Sequence, residues 1–213
     1  MAKKAGFTLV TIFIAMILPL MGNLERLLDY RIGIIVIAIF LLNLTQPAFS
    51  MKEQREHQQN DRSSILLILV MSICSVVLLM LQWGYWASSL PDQTWPVWLG
   101  LIMIIAGLYI RIYAIRYLGR YFTANVQSVD AHRLITDGPY GLVRHPSYLG
   151  ALLILTGFPV LLGSLPCFLL ALLLMMIAYY KRITVEEALL LRLFPEDYQQ
   201  YQQHTYRIIP YVW

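Results

Sequence analysis

Residues 149–180 read LGALLILTGFPVLLGSLPCFLLALLLMMIAYY, a 32-residue apolar run with no charged side chain. As one helix it would reach about 48 Å, well beyond the ~30 Å hydrocarbon core of a bilayer. Gly157 and Pro159 interrupt it, and then Gly163, Ser164 and Pro166. The pattern predicts two short antiparallel helices, 149–162 and 166–180, turning at LGSLP. Neither half reaches twenty residues, so the turn is expected to lie shallow in the far leaflet with its backbone covered by neighbouring helices. The flanks make this hairpin important, because RHPSY at 144–148 precedes it and KRITVEE at 181–187 follows it. A single crossing would separate them by a bilayer. A hairpin brings arginine, imidazole and two carboxylates to one edge of an apolar layer, where ionised side chains are costly without partners or a task.

The rest of the chain fits a membrane protein. Its 213 residues are 59% apolar and 13% charged, with a mean hydropathy of +0.63. Further apolar segments cover 7–21, 32–44, 65–86 and 95–117, so the expected fold is all-α and polytopic, with about six membrane segments in a single integral domain, 1–213. Within it, 1–118 holds the N-terminal transmembrane helices and 119–213 the chemistry. The first two segments are short and are expected to borrow flanking residues, tilt or pack on longer neighbours. Lys3 and Lys4 before the first segment imitate a signal peptide. Few small residues suited to cleavage follow, so a retained helix is expected. Residues 46–64 read as an aqueous loop or interfacial helix.

The net charge of +4 suggests no nucleic-acid partner, since the basic residues are scattered singly and form no stripe. With six segments, fourteen of the sixteen Lys and Arg fall on one side and only Arg26 and Arg31 on the other. That bias predicts cytoplasmic termini and a cytoplasmic active site, with Arg111 snorkelling from the fourth helix. Trp83, Tyr85, Trp86, Trp95 and Trp98 are expected to anchor the opposite boundary. Cys74 and Cys167 lie in apolar segments and read as small hydrophobes, and no metal-ligand spacing is present.

Residues 117–148 are too polar to span. DGPYG at 137–141 predicts a tight turn, and Pro146 suits the first position of the next helix. Arg144 and His145 then sit beside that helix's free amides, an arrangement suited to an anionic group. The plainer reading makes Arg144 a topological anchor, His145 a cap, and Tyr140 and Tyr148 ordinary interfacial tyrosines. Arg182 and Glu186 share a helix face, while Glu187 points roughly 100° away. A carboxylate here can pair with Arg182 or Arg144, accept from a ribose or amino group, or balance a cationic ligand. The plainer reading is an intrahelical ion pair worth a few tenths of a kcal/mol. Residues 189–213 are expected to form a short amphipathic cytoplasmic helix, with Tyr198, Tyr201 and Tyr206 closing over the site.

The ordered combination HRLITDGPY at 132–140, RHPSYLG at 144–150, RITVEE at 182–187, LFPEDY at 193–198, Tyr201 and IP at 209–210 resembles the isoprenylcysteine carboxyl methyltransferases. It is also similar to related small membrane methyltransferases, including phospholipid N-methyltransferases. The resemblance covers about the last hundred residues, and Pro195 stands where the family often has glycine. It implies S-adenosyl-L-methionine held on the cytoplasmic side and a lipophilic methyl acceptor arriving through the bilayer among membrane lipids. The implied cofactor contacts are Gln127, His132, Arg133, Leu134, Ile135, Tyr140, His145, Pro146, Ser147, Tyr148 and Glu186. Arg144, Arg182 and Glu186 are the implied catalytic group, with Arg182 and Glu187 toward the acceptor and no metal. No GxGxxG loop is present, so the implied pocket is not of the Rossmann kind.

The expected reaction is therefore methylation of a prenylcysteine α-carboxylate or a similar group. A phospholipid or small-molecule N- or S-methyltransferase is the first alternative, and a noncatalytic membrane-binding or transport protein the second. A carboxylate acceptor needs no strong base, whereas an amine would need Glu186 or Glu187 to take its proton.

Overall fold

A computed structural model describes residues 2–45, 59–86, 94–119 and 134–213, with side chains from residue 6 in the first stretch and 63 in the second. The described residues are helical apart from turns and one isolated parallel bridge between Val143 and Tyr206. Helix α1 (Ala2–Ile12) passes into a π-helical turn, Phe13–Ile17, and ends in a tight turn, Leu18–Leu20, where Pro19 lacks the amide needed to continue. Helix α2 (Tyr30–Leu44) is capped by Asp29, whose carboxylate accepts from the Arg31 amide at 2.9 Å. There follow α3 (Gln59–Tyr85), α4 (Trp95–Leu118), α5 (Pro146–Leu161), α6 (Leu165–Leu193) and α7 (Pro195–His204). Helices α3, α4 and α6 are long and apolar enough to cross a membrane, and Gly6–Leu20, α2 and α5 are shorter apolar helices. Of the polar stretch 46–64, the last six residues open α3, and the others lie outside the described residues.

The hairpin is present. Gly163 takes the left-handed φ of +71° that the reversal requires, and the Ser164 hydroxyl accepts from the Cys167 amide at 3.3 Å to start α6. Its arms are longer than expected. Helix α5 begins at Pro146, and α6 runs about 43 Å through KRITVEE to Leu193, because no helix breaker occurs between Pro166 and Pro195. The expected single helix over 189–213 is also corrected. Phe194, at φ −135° and ψ 69° before a proline, ends α6, Pro195 opens α7, and a non-helical strap from Thr205 follows.

Glycines set how closely α4 and α5 approach. A Cβ on Gly150 would lie 2.6 Å from the Gly107 carbonyl oxygen and 2.8 Å from the Arg111 amide nitrogen, and one on Gly100 would lie 2.4 Å from the Leu161 amide nitrogen. The two backbones are thus in direct contact, antiparallel, as membrane helices with small residues pack. Arg111 comes to rest over the first turns of α5 as a result. Met80, Ile154, Phe158 and Met175 are fully buried, while Leu9, Ile102, Leu169 and Leu173 are exposed, giving an apolar outer surface suited to lipid.

At the end opposite the hairpin's flanks, the guanidinium carbons of Arg26 and Arg31 lie 5.1 and 4.5 Å from the centre of the Trp83 ring. Trp83 is therefore buried beneath two cations and is no boundary anchor. Tyr85, Trp86, Trp95 and Trp98 are exposed there, as expected.

Candidate functional site

Both flanks of the hairpin meet at one end of the bundle. Tyr148 Oη donates to Glu186 Oε1 at 2.6 Å. Arg182 Nε donates to the same oxygen at 2.7 Å and to Tyr148 Oη at 3.2 Å, and its Nη1 reaches Ser64 Oγ at 3.3 Å. The His145 ring stands between the two acids, with Nδ1 3.5 Å from Glu186 Oε2 and Nε2 3.4 Å from Glu187 Oε1. Nε2 is buried and makes no hydrogen bond. Arg144 Nε donates to Glu187 Oε1 at 2.8 Å, and Arg207 Nη2 lies 2.9 Å from Oε2. Arg144 Nη1 also donates to the Gln202 carbonyl at 3.3 Å and to the Thr205 carbonyl.

Local sequence explains this assembly. Gly138 adopts φ +57° in the DGPYG turn, where a Cβ would lie 2.5 Å from the Tyr117 ring. Pro146 opens α5 and leaves Arg144 and His145 extended enough to pair with the strap. Their amides donate to the carbonyls of Tyr206 and Arg207 at 2.8 and 3.0 Å, and the Tyr206 amide returns a bond to Leu142 O at 3.0 Å. Tyr201 Oη donates to the Tyr140 carbonyl at 2.6 Å, fixing α7 against the turn. Burial pushes the phenols of Tyr140, Tyr198 and Tyr201 above their ordinary value, and the neighbouring Glu187 adds to the effect at Tyr198. All three remain neutral, and the hydroxyls of Tyr140 and Tyr201 donate to backbone carbonyls.

The two acids differ. The Glu187 side chain is 4% exposed with both oxygens bonded by groups of this chain, whereas that of Glu186 is 14% exposed at the edge of the cluster. Arg144, Arg182 and Arg207 each have a carboxylate. Arg111 is a fourth cation, 3% exposed, whose Nε donates to Thr45 Oγ1 at 2.8 Å and Nη1 to the Ser147 carbonyl at 2.9 Å. It meets no carboxylate among the described residues. The expected snorkelling is thus corrected: the α5 backbone covers Arg111 at Gly150, and the Ser147 carbonyl in the first turn of α5 and the Thr45 hydroxyl satisfy it.

Among the expected site residues, the structure brings together Arg144, His145, Tyr148, Arg182, Glu186 and Glu187, with Pro146 and Ser147 in the same turn of α5 and Tyr140 behind it. Leu134 and Ile135 are half-buried. Leu134 lines an open groove of about 670 Å³ with Thr136, Gly141, Phe194, Asp197 and Tyr201 among its other walls. Gln127, His132 and Arg133 lie outside the described residues. Of the tyrosines expected to close over the site, Tyr198 and Tyr201 are buried and Tyr206 is half-buried. Sequence reasoning missed Arg111 and Arg207 as partners. Arg111 carried a signal, since an ionisable residue within an apolar segment is a functional-site hypothesis by default. Arg207 carried none.

The chain is similar to known proteins over much of its length. The description "Isoprenylcysteine carboxyl methyltransferase (ICMT) family" matches residues 98–192, stopping short of α7 and the strap. A probable protein-S-isoprenylcysteine O-methyltransferase of Oryza sativa subsp. japonica is 33% identical over 161 residues, covering 73% of this chain and 84% of that protein. The protein-S-isoprenylcysteine O-methyltransferase of Schizosaccharomyces pombe is 38% identical over 108 residues, 50% of this chain and 46% of its own. In fold, the chain is similar to the solved eukaryotic intramembrane Ras methyltransferase ICMT, with a TM-score of 0.59 at 22% identity over 98% of this chain and 75% of that one.

Proposed function

Because the chain belongs to the isoprenylcysteine carboxyl methyltransferase family and is a methyltransferase, we propose that it transfers a methyl group from S-adenosyl-L-methionine to the α-carboxylate of a prenylated cysteine or a close lipophilic analogue. The observation that carries this reading is the junction of Tyr148, Arg182 and Glu186, from opposite arms of the hairpin, at the edge of an apolar layer.

The residues present suit that methyl donor. It carries amino and sulfonium cations and a carboxylate. The cluster offers a partly exposed carboxylate at Glu186, a buried imidazole nitrogen without a hydrogen bond at His145, and the N-terminal turn of α5. Glu186 would hold the cationic part. His145 and Tyr148 would line the pocket, with Leu134, Ile135, Tyr140, Pro146 and Ser147 as further walls. When bound, the cofactor supplies a methyl group already activated by its sulfonium.

The chain's own task is then to align the acceptor, exclude water and manage charge. Arg182 would orient the acceptor carboxylate, and Arg111, which meets no carboxylate among the described residues, would add a second positive charge for it. An ionised carboxylate attacks without losing a proton, so no base is required. Arg144 and Glu187 would act from behind, fixing His145. Six crossings, with both termini and the site on the cytoplasmic side and the chemistry within 119–213, accord with Arg26 and Arg31 lying together at the opposite end.

Purified protein in lipid, given labelled S-adenosylmethionine and separate prenylcysteines, phosphatidylethanolamines and small thiols, tests the proposal. Label should enter the prenylcysteine as a base-labile ester. Selective label in the amine would replace the acceptor assignment, and a folded protein that binds no cofactor would defeat the reading.

A further inference from the structure

We propose that Arg207 is a positioning residue for methyl transfer, holding one oxygen of Glu187 from the strap so that the other stays fixed on Arg144 beside His145. This rests on the methyl-transfer reading above. Glu187 divides its bonds by oxygen: Oε1 takes Arg144 Nε at 2.8 Å, and Oε2 takes Arg207 Nη2 at 2.9 Å and Gln202 Nε2 at 3.5 Å. An ordinary surface ion pair joins two solvated groups and does little. Here the base is 31% exposed but the acid only 4%, so a rim cation pairs with a charge that is largely shielded from water.

The strap presents Arg207 from a fixed place. The Trp213 carbonyl accepts from the Ile208 and Ile209 amides at 2.9 Å, closing the last residues into a loop. The Trp213 ring stacks on Tyr180 of α6 at 6.3 Å, and the Arg207 guanidinium lies 5.8 Å from the Trp213 ring centre. On the other side, the Arg207 carbonyl accepts from the His145 amide at 3.0 Å. One residue therefore ties the backbone of His145 to the acid that its ring faces.

Without that guanidinium, Oε2 keeps the long contact to Gln202 among the described residues, and Arg144 is the guanidinium that still pairs with the acid. The next donor in reach is His145 Nε2, 3.4 Å from Oε1. A ring drawn toward Glu187 moves away from Glu186, where Nδ1 now stands 3.5 Å off. The loss should appear as misplacement of His145 and Arg144, affecting turnover more than acceptor binding.

Arg207→Met, Arg207→Lys, Glu187→Gln and the double variant Arg207→Met/Glu187→Gln test this. The readouts are kcat and acceptor KM with a prenylcysteine, and hydrogen exchange at the amides of Arg144, His145 and Tyr206. Arg207→Met is expected to lower kcat about 10-fold, leave KM within about 2-fold and raise exchange at those amides about 10-fold, with Arg207→Lys recovering most of each. In the Glu187→Gln background the same change should add less than about 2-fold, since the residue acts through that acid. Equal losses in both backgrounds, or Lys no better than Met, would overturn the proposal. The exchange measurement stands even if no acceptor is methylated, so failure of the chemistry and failure of this inference give different results.

Discussion

Replacing Tyr148 by Phe removes one oxygen from the centre of the site and little else. The ring stays, packed against Tyr179 at 5.0 Å and His145 at 5.8 Å between centroids. The lost oxygen donates to Glu186 at 2.6 Å and accepts from Arg182 at 3.2 Å. A hydrogen bond to a charged group contributes about 1.5–3 kcal/mol. Arg182 and Glu186 keep their direct contact at 2.7 Å, so neither is orphaned, and the lower part of that range applies, about 1.5–2 kcal/mol. If the junction positions the cofactor, its affinity should fall about 10- to 30-fold. Thermal stability should fall by no more than about 2 kcal/mol, because the hydrogen bonds are lost but no apolar area is. Glu186→Gln should cost more, since it removes the charge that Arg182, only 3% exposed, holds at 2.7 Å; breaking a buried pair costs about 3–5 kcal/mol, reduced here by the amide oxygen that remains. Equilibrium binding of labelled cofactor, initial rates and thermal unfolding, all in the same lipid, separate the terms. Wild-type binding and turnover by Tyr148→Phe would refute the idea that this junction positions the cofactor, and so would a collapse of the fold.

Other substitutions probe the remaining parts. Glu186→Gln should raise the cofactor Kd about 10- to 100-fold, whereas Arg182→Lys should raise acceptor KM with cofactor Kd within about 3-fold; binding and steady-state measurements on the two variants check the division. Gly150→Ala would push a methyl group against the Gly107 carbonyl and the Arg111 amide, destabilising the protein by about 1–3 kcal/mol or more, while Gly33→Ala, which meets nothing within 4 Å, should be nearly neutral in the same thermal melts. The phenols of Tyr198 and Tyr201 are raised by burial, so their contribution to stability is complete below their ordinary value of 10.0 and lost as pH rises above it. An alkaline unfolding scan should show that loss, and Tyr198→Phe should reduce its steepness.

Much of this was legible in the letters because the decisive signals are local. Gly163 and Pro166 mark a reversal, the 149–180 run is too long for one crossing, and charges at both ends of an apolar hairpin must meet. What was not legible depends on tertiary contact. Arg111 looked free to snorkel, since nothing in its own segment shows that Gly107 and Gly150 bring α5 across it. Trp83 looked like an anchor because the two arginines that cover it lie more than fifty residues earlier. The division of labour between Glu186 and Glu187 was hidden as well. The two acids are adjacent in sequence, and only the strap, through Arg207 and the Thr205 carbonyl, makes one of them internal.

The central claim is that the hairpin places Tyr148 and Glu186 in one pocket. Cysteines at those two positions, in a chain with Cys74 and Cys167 replaced, should be joined rapidly by a short bifunctional thiol reagent in intact membranes. No cross-link, with each single cysteine labelled only from opposite faces of the membrane, would contradict the account.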